Sequence, residues 1–335
     1  MTVGVGKQKD FFQNCFFLSY FQLSTSIFLF LRKNKKDFRF NLGYDFVVKI
    51  NIRIPNKKSI RNLKNFAPLH IRIKKINKYL CSFKRNHLRY FIKLAYNGTN
   101  YHGWQYQPNA SSVQETLSKA VSVILNSEVN LMGAGRTDTG VHAKEMFAHF
   151  DFETPFEIQS IVHKLNSYLP KDIVIYDIIP VHNEAHARFD ATKRTYEYHI
   201  NTFKDAFLQD ESWYFHQELD IELMNEASKL LFDYIDFQCF SKVNTDVNTF
   251  DCIIFEAHWQ QENNKLVFTI SANRFLRNMV RAIVGTLVNV GLQKITLDDF
   301  NEIIKSKNRD KAGFSVPAHG LYLTKIDYDY LKQIA

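Results

Sequence analysis

The most informative run in the sequence is Gly133-Ala-Gly-Arg-Thr-Asp-Thr-Gly-Val-His142. Its glycines permit backbone conformations that a side chain would forbid, and they let a bulky partner approach the chain closely. The same loop carries one carboxylate, Asp138, and one guanidinium, Arg136. A bare, turned and charged loop is typical of a functional site. The structural alternative is a turn in which Asp138 bonds its own backbone and Arg136 is solvated.

Regular elements are predicted on both sides of this loop. A strand over 90–96 is followed by Ser112-Val-Gln-Glu115, a capping box that begins a helix with an apolar stripe. The further predicted elements are strand 146–152, helix 158–169, strands 173–179 and 195–201, helix 220–232, strands 251–259 and 265–272, helices 278–290 and 297–305, and strand 322–328. This order lacks the strict alternation of a doubly wound fold, so it predicts the α+β class with an antiparallel or mixed sheet. Because strand–helix–strand occurs twice, we expect two similar halves, 88–190 and 191–335, around one cleft.

A second cluster follows at Ala187-Arg-Phe-Asp-Ala-Thr-Lys-Arg-Thr-Tyr-Glu-Tyr198. Tyr196 and Tyr198 are two residues apart on a predicted strand and therefore face the same side. Two rings on one face would form a stacking platform for bases, although ordinary core packing is the alternative. Three basic residues of the same run are candidate phosphate ligands: Arg188, Lys193 and Arg194.

The third cluster is Asn273-Arg-Phe-Leu-Arg-Asn-Met-Val-Arg-Ala-Ile-Val-Gly285. Arg274, Arg277 and Arg281 are spaced by three and four, which places them on one helical face if the helix begins early enough. An arginine beside the apolar stripe of that helix needs an anionic partner, because an unpaired buried charge is costly. The alternative is a solvated charged face.

The last cluster is Gly313-Phe-Ser-Val-Pro-Ala-His-Gly-Leu-Tyr-Leu323, a turn rich in proline and glycine that leads Leu321 into the final predicted strand. Taken alone, this pattern is typical of an ordinary turn before an ordinary strand. It acquires a functional interpretation only together with the other clusters.

The net charge of +9 conceals two unlike parts of the chain. Residues 1–87 hold 19 Lys and Arg against three Asp and no Glu, whereas residues 88–335 hold 24 Lys and Arg against 31 acidic residues. The body of the protein is therefore mildly acidic. Any nucleic-acid interface must be argued from local clusters in the body, since the global charge reflects the leader.

The leader, residues 1–87, has three interpretations. The Phe-rich stretch 11–31 beside a basic run suggests a targeting segment, but polar residues interrupt it and no clear cleavage site follows. Residues 53–85 could instead form a basic RNA-binding arm. Phe, Ile, Lys and Asn make up 42 of the 87 residues, and the first Glu of the chain is Glu115. This composition favours the third interpretation, a gene-start artefact with initiation near Leu88, and otherwise a disordered leader.

The four cysteines give no sign of a metal site or a disulfide scaffold. Cys15, Cys81, Cys239 and Cys252 form no CxxC pair and have no histidine at ligand spacing. The pattern therefore predicts neither a zinc nor an iron–sulfur site, and it favours a reduced, intracellular protein.

Taken together, the clusters resemble the tRNA pseudouridine synthase A (TruA) family over residues 88–330. The six matching segments, in the order of the family, are Tyr96-Asn-Gly-Thr-Asn-Tyr-His-Gly-Trp-Gln105, Ser112-Val-Gln-Glu115, Ala134-Gly-Arg-Thr-Asp-Thr-Gly-Val-His142, His186-Ala-Arg-Phe-Asp-Ala-Thr-Lys-Arg-Thr-Tyr196, Phe275-Leu-Arg-Asn-Met-Val-Arg-Ala-Ile-Val-Gly285 and Gly320-Leu-Tyr-Leu323. Two positions depart from the pattern, because the family usually has Asp where Asn97 stands and Ala where Thr139 stands. The leader has no counterpart in it.

This resemblance implies a pseudouridine synthase core, with two related α/β halves that share a mixed, mainly antiparallel sheet around a central RNA-binding cleft. It implies an isomerase that converts uridine to pseudouridine at positions 38, 39 and 40 in the anticodon stem-loop of tRNA. The family works as a cytoplasmic homodimer, away from membranes, and needs neither a cofactor nor a metal.

The resemblance also implies roles for individual residues. Asp138 would be the catalytic carboxylate, acting as a nucleophile or by removing a sugar proton. Arg281 would pair with Asp138 and aim it, and Tyr196 would stack on the uracil or relay the C5 proton. Arg136 would hold the extruded nucleotide or its phosphate, and Leu321 would form part of an apolar pocket wall.

Two other classes of function stay open at this point. A non-catalytic tRNA binder or chaperone could use the same scaffold, but it has no need of a carboxylate, Asp138, facing polyanionic RNA. A glycosidase-like enzyme that releases the base normally uses two carboxylates, and the glycine-rich loop supplies one.

Overall fold

A computed structural model describes residues 88–243 and 248–331, together with the backbone of three short strands nearer the N-terminus. These strands, β1 (Phe28–Phe30), β2 (Asp37–Asn41) and β3 (Val47–Asn51), pair antiparallel in the order β1-β2-β3. The chain divides into two compact units, Met1–Ser82 and Phe83–Ala335. Most of the stretch 11–31 and all of 53–85 lie outside the described residues, so the predictions for the leader stay predictions.

The second unit contains nine further strands and five α-helices within its described residues. The strands are β4 (Leu88–Tyr96), β5 (Met132–Gly133), β6 (His142–Phe152), β7 (Ile173–Val181), β8 (Lys193–Asn201), β9 (Trp213–Tyr214), β10 (Ile254–Glu262), β11 (Lys265–Ala272) and β12 (Leu321–Asp327). The helices are α1 (Val113–Leu125), α2 (Ile158–Tyr168), α3 (Ile221–Leu230), α4 (Met279–Gly291) and α5 (Leu297–Lys305). In this part of the chain, no helix is both long and apolar enough to cross a membrane.

These strands form a single sheet in the order β10-β11-β8-β12-β6-β4-β7, with β5 beside β6 and β9 beside β8. All neighbours pair antiparallel except β12 with β6 and β9 with β8, which are parallel. The prediction of an α+β fold with a mixed, mainly antiparallel sheet is confirmed. Strand β12 joins the halves, since Leu323 and Ile326 belong to one hydrophobic core and Leu321 to the other.

Local capping explains where the helices begin. Ser112 accepts a hydrogen bond from the Glu115 backbone N at 3.3 Å, which is one half of the predicted capping box at the start of α1. A complete box, Thr296 with Asp299, begins α5. Helix α4 begins at Met279 because the preceding residue, Asn278, has a left-handed backbone with φ of 67°. The helix therefore does not begin early enough for Arg274, Arg277 and Arg281 to share one helical face, since only Arg281 lies in it.

Candidate active site

The glycine-rich loop joins β5 to β6, and a preceding turn, 97–104, holds its backbone in place. A Cβ on Gly103, which has φ of 87°, would lie 2.2 Å from the Thr137 carbonyl oxygen. A Cβ on Gly98 would lie 2.1 Å from the Val141 carbonyl oxygen. The turn that supports the loop therefore requires glycine at both positions, because two backbones touch directly there.

Asp138 lies between two arginines from a distant segment of the chain, Arg281 in α4 and Arg277 just before that helix. Its Oδ2 is 3.4 Å from Nη1 of Arg281, and its Oδ1 is 3.8 Å from Nε of Arg277. The Nε of Arg281 also donates to the Val316 carbonyl at 2.7 Å, which fixes the guanidinium. The Asp138 side chain is 27% exposed, Arg281 20% and Arg277 59%. A partly open carboxylate with one anchored and one exposed cation therefore lies where the two halves meet.

Tyr196 lies on β8 and is partly buried, with its ring edge-on to Phe275 at a centroid distance of 5.2 Å. Burial raises the pKa of Tyr196 to about 12; the charge of Arg194 opposes this rise and that of Asp138 adds to it. The phenol is therefore protonated at neutral pH and can donate a hydrogen bond.

The structure excludes two of the alternatives left open for this strand, and Tyr198 has the ordinary core packing that was the other interpretation. Tyr198 is fully buried and its hydroxyl donates to the Pro317 carbonyl at 2.9 Å, so it offers no stacking surface. Arg194 is no candidate phosphate ligand, because its guanidinium donates to four backbone carbonyls: those of Ala134, Arg188, Ala191 and Asn273. Arg194 therefore connects the beginning of the glycine-rich loop, at Ala134, to the segment 188–191 and to Asn273.

The remaining predicted site residues differ in their surroundings. Arg136 is exposed, and no hydrogen bond or ion pair joins it to another described residue. Leu321, the first residue of β12, is 6% exposed, pairs with Tyr198 and belongs to the second hydrophobic core. The substrate contacts expected of Arg136 and Leu321 stay predictions.

A model of the family described as tRNA pseudouridine synthase matches residues 93–190 and 230–329. The chain belongs to this family. It is 54% identical over 241 residues to the tRNA pseudouridine synthase A of Parabacteroides distasonis, covering 72% of this chain and 96% of the relative. The same-named protein of Bacteroides fragilis is 53% identical over 72% of this chain and 96% of its own length. That of Thermoanaerobacter pseudethanolicus is 42% identical over 71% of this chain and 98% of its own length.

In this pseudouridine synthase, the sequence did not reveal the groups that fix the loop around Asp138. The Tyr96 hydroxyl and Thr137 Oγ1 are hydrogen bonded at 2.9 Å. His142 Nδ1 accepts from the Gly98 N–H at 3.0 Å, so the proton of the neutral ring is on Nε2, which donates to the His319 carbonyl at 3.0 Å. Burial lowers the pKa of His142, which favours this neutral form. The spacing of Arg277, four residues before Arg281, was the one feature of the sequence that pointed to its place beside this site.

Within residues 88–243 and 248–331, no three His, Cys, Asp or Glu side chains cluster as metal ligands. Cys239 and Cys252 are buried and free. Burial raises the pKa of Cys239 to about 12 and that of Cys252 to about 11, so both thiols are protonated and unreactive at neutral pH.

Proposed function

We propose that the protein isomerises uridine to pseudouridine at positions 38, 39 and 40 in the anticodon stem-loop of tRNA, with Asp138 as its catalytic carboxylate. The observation that carries this proposal is the arrangement of Asp138 between Arg281 and Arg277, coupled to Tyr196, where the two halves meet. The relatives are named tRNA pseudouridine synthase A, which supports the reaction and the substrate.

The reaction needs one carboxylate near the sugar and a pocket that retains the detached base. The N1–C1′ bond breaks, the uracil turns, and a C5–C1′ bond forms; C5 loses a proton and N1 gains one, so no oxidant is required. Asp138 acts either by attack at C1′ or by removing a sugar proton. Arg281, held by the Val316 carbonyl, keeps the carboxylate aimed at the substrate.

The other site residues bind the extruded nucleotide. Tyr196, positioned by Phe275, stacks on the uracil or relays the C5 proton through its neutral hydroxyl. Arg136 contacts the nucleotide or its phosphate, and Leu321 contributes to the apolar wall of the pocket. Their combined contacts offset the few kcal/mol that flipping a nucleotide out of a paired stem costs.

We further propose that the protein is a cytoplasmic homodimer whose catalytic domain consists of an N-terminal half, 88–190, and a C-terminal half, 191–335. The two hydrophobic cores support this division, with β12 contributing to both. Sedimentation equilibrium of the full chain measures the oligomeric state directly, and a monomer at micromolar concentration would contradict the dimer.

The reaction is tested by complementing a bacterial strain that lacks tRNA pseudouridine synthase A and mapping pseudouridine in its tRNA. The wild-type chain should restore the modification at positions 38–40. Asp138→Asn should restore none while still binding tRNA, and Asp298→Asn, which changes an exposed acid on α5, should behave as wild type.

The possible failures of this experiment are distinct. Modification by Asp138→Asn would overturn the catalytic assignment alone. A wild-type chain that binds tRNA and restores nothing would overturn the proposed reaction and favour the non-catalytic binder.

A further inference from the structure

An exposed aromatic ring lies on the turn between β7 and β8. Phe189 is 74% exposed, yet its ring is packed against that of His186, with a centroid distance of 4.3 Å and a tilt of 35°. The guanidinium of Arg188 lies 5.7 Å from the centre of the same ring. A cation and a fixed apolar face are thus presented to solvent side by side.

Hydrogen bonds hold this turn rigidly. The Asp190 carboxylate accepts from the His186 backbone N at 2.7 Å, and His186 Nδ1 accepts from the backbone N of Arg188 at 3.1 Å and of Phe189 at 3.3 Å. The backbone N of Ala187 donates to a ring nitrogen on β6, Nδ1 of His149, at 3.2 Å. The position of the exposed ring is therefore set before any ligand arrives, so binding loses little conformational entropy.

The turn that carries the ring is joined to the glycine-rich loop through one side chain. One nitrogen of Arg194, Nη2, donates to the Arg188 carbonyl at 2.7 Å and to the Ala134 carbonyl at 3.1 Å. Ala134 is four residues before Asp138 on that loop. A single partly buried guanidinium therefore connects the backbone that presents Phe189 to the backbone that presents the carboxylate.

We propose that Phe189 is a stacking surface for a nucleobase of the RNA, adjacent to the nucleotide that reaches Asp138, and that Arg188 binds the phosphate beside that base. The proposal rests on the function proposed above. Scattered surface aromatics need no explanation, and Phe207, 91% exposed, contacts no other described ring. Phe189 differs because it is fixed, borders a cation and lies on a turn joined to the loop, a combination suited to a base and its phosphate.

The test measures tRNA binding by the full chain in an Asp138→Asn background, so that turnover does not affect the result. Phe189→Leu keeps an apolar side chain and loses the ring, and should weaken binding about tenfold, or about 1.4 kcal/mol. Phe189→Trp should bind within about twofold of the parent, because it keeps a stacking face. Phe207→Ala, the matched control, should leave binding unchanged, and all variants should keep the melting temperature of the parent.

The salt dependence of binding distinguishes the contribution of Arg188 from that of Phe189. Arg188→Gln should reduce the slope of log K against log salt by about one, whereas Phe189→Leu should leave the slope unchanged. Parent-like binding by Phe189→Leu, or failure of a folded Phe189→Trp to bind, would overturn the stacking proposal. If these changes appear as expected but the wild-type chain forms no pseudouridine, the proposed function fails and the stacking surface stands.

Discussion

The two arginines beside Asp138 are held differently. Arg281 bonds the Val316 carbonyl through Nε and Asp138 through Nη1, which uses the fork of the guanidinium. Arg277 approaches Asp138 only through Nε, at 3.8 Å, and its terminal nitrogens have no acceptor among the described residues. Arg281 therefore positions the carboxylate, whereas Arg277 has hydrogen-bond donors that can bind the RNA.

Substitution by lysine, which keeps the charge and loses the fork, should separate these two roles. We expect Arg281→Lys to lower the single-turnover rate constant at saturating tRNA about a hundredfold, because the carboxylate is misplaced. Arg277→Lys should leave that rate within about threefold and mainly change the Kd for tRNA, since it can still contact phosphate as a point charge. Equal losses of rate in both variants would contradict the division of roles.

The sequence indicated the residues of this site but not the partners of every side chain. Asp138 was identified from the glycine-rich loop, whereas the pairing of Arg281 with it was implied by the resemblance to the family. Alternation along β8 placed Tyr196 and Tyr198 on one face correctly, but it carries no information about where that face is covered. The distant partners of Arg194 were equally hidden, because Ala134 and Asn273 are 60 and 79 residues away in sequence.

At the scale of elements, β6 carries two buried histidines, His142 and His149. Burial, with help from the nearby charges of Arg89 and His186, lowers the pKa of His149 from 6.5 to about 4. Between these values the unfolded chain binds more protons than the folded one. The contribution of His149 to stability is therefore fully present above pH 6.5 and is lost as the pH falls toward 4.

Urea unfolding at pH 7.5 and 5.5 measures this loss. One such histidine should lower the free energy of unfolding by about 1.4 kcal/mol at pH 5.5, one unit below the unfolded pKa. His149→Gln keeps an acceptor for the Ala187 N–H and does not titrate, so its difference between the two pH values should be smaller by about that amount. An unchanged difference would mean that His149 is not neutral in the folded protein.

Hydrophobic periodicity predicted the helices of the body well, and their ends less well. The apolar run of α4 is long enough to be recognised, whereas its start depends on the left-handed backbone of Asn278, which periodicity does not report. The strand predicted over 251–259 is observed at Ile254–Glu262, because Asp251 forms an isolated bridge with Asp236 before the strand begins. Short strands such as β5 depend on pairing with β6 rather than on their own sequence.

At the scale of the whole molecule, the central feature is the insertion of β12 between β8 and β6. Tyr322 pairs in parallel with His142, although the two residues are far apart in the sequence. Such a contact between distant segments cannot be derived from local propensity or periodicity, and only the resemblance to a known family predicted the shared sheet. The same strand brings β6, which follows the Asp138 loop, and β8, which carries Tyr196, into one sheet, since it pairs with both.

The leader, residues 1–87, differs from the rest of the chain in its charge and in its lack of a match to the family. It carries 19 Lys and Arg against three Asp, whereas the family model begins to match at residue 93. The 241 residues aligned with the Parabacteroides distasonis protein cover 96% of that relative, which leaves almost none of it to correspond to a leader. A catalytic requirement for these residues would therefore not be shared with that relative.

We expect a chain that begins at Leu88 to fold, dimerise and modify tRNA at the same rate as the full chain, because every site residue lies downstream of that position. Binding is the sharper measurement, since a basic arm would act through phosphate contacts that salt weakens. If the leader contributes nothing, the Kd for tRNA and its salt slope should be equal in the two chains. If it is a functional arm, the shorter chain should bind about tenfold more weakly, or about 1.4 kcal/mol, with a shallower slope. That result, together with native protein whose N-terminal sequence begins at Met1, would show that the leader is part of the RNA interface.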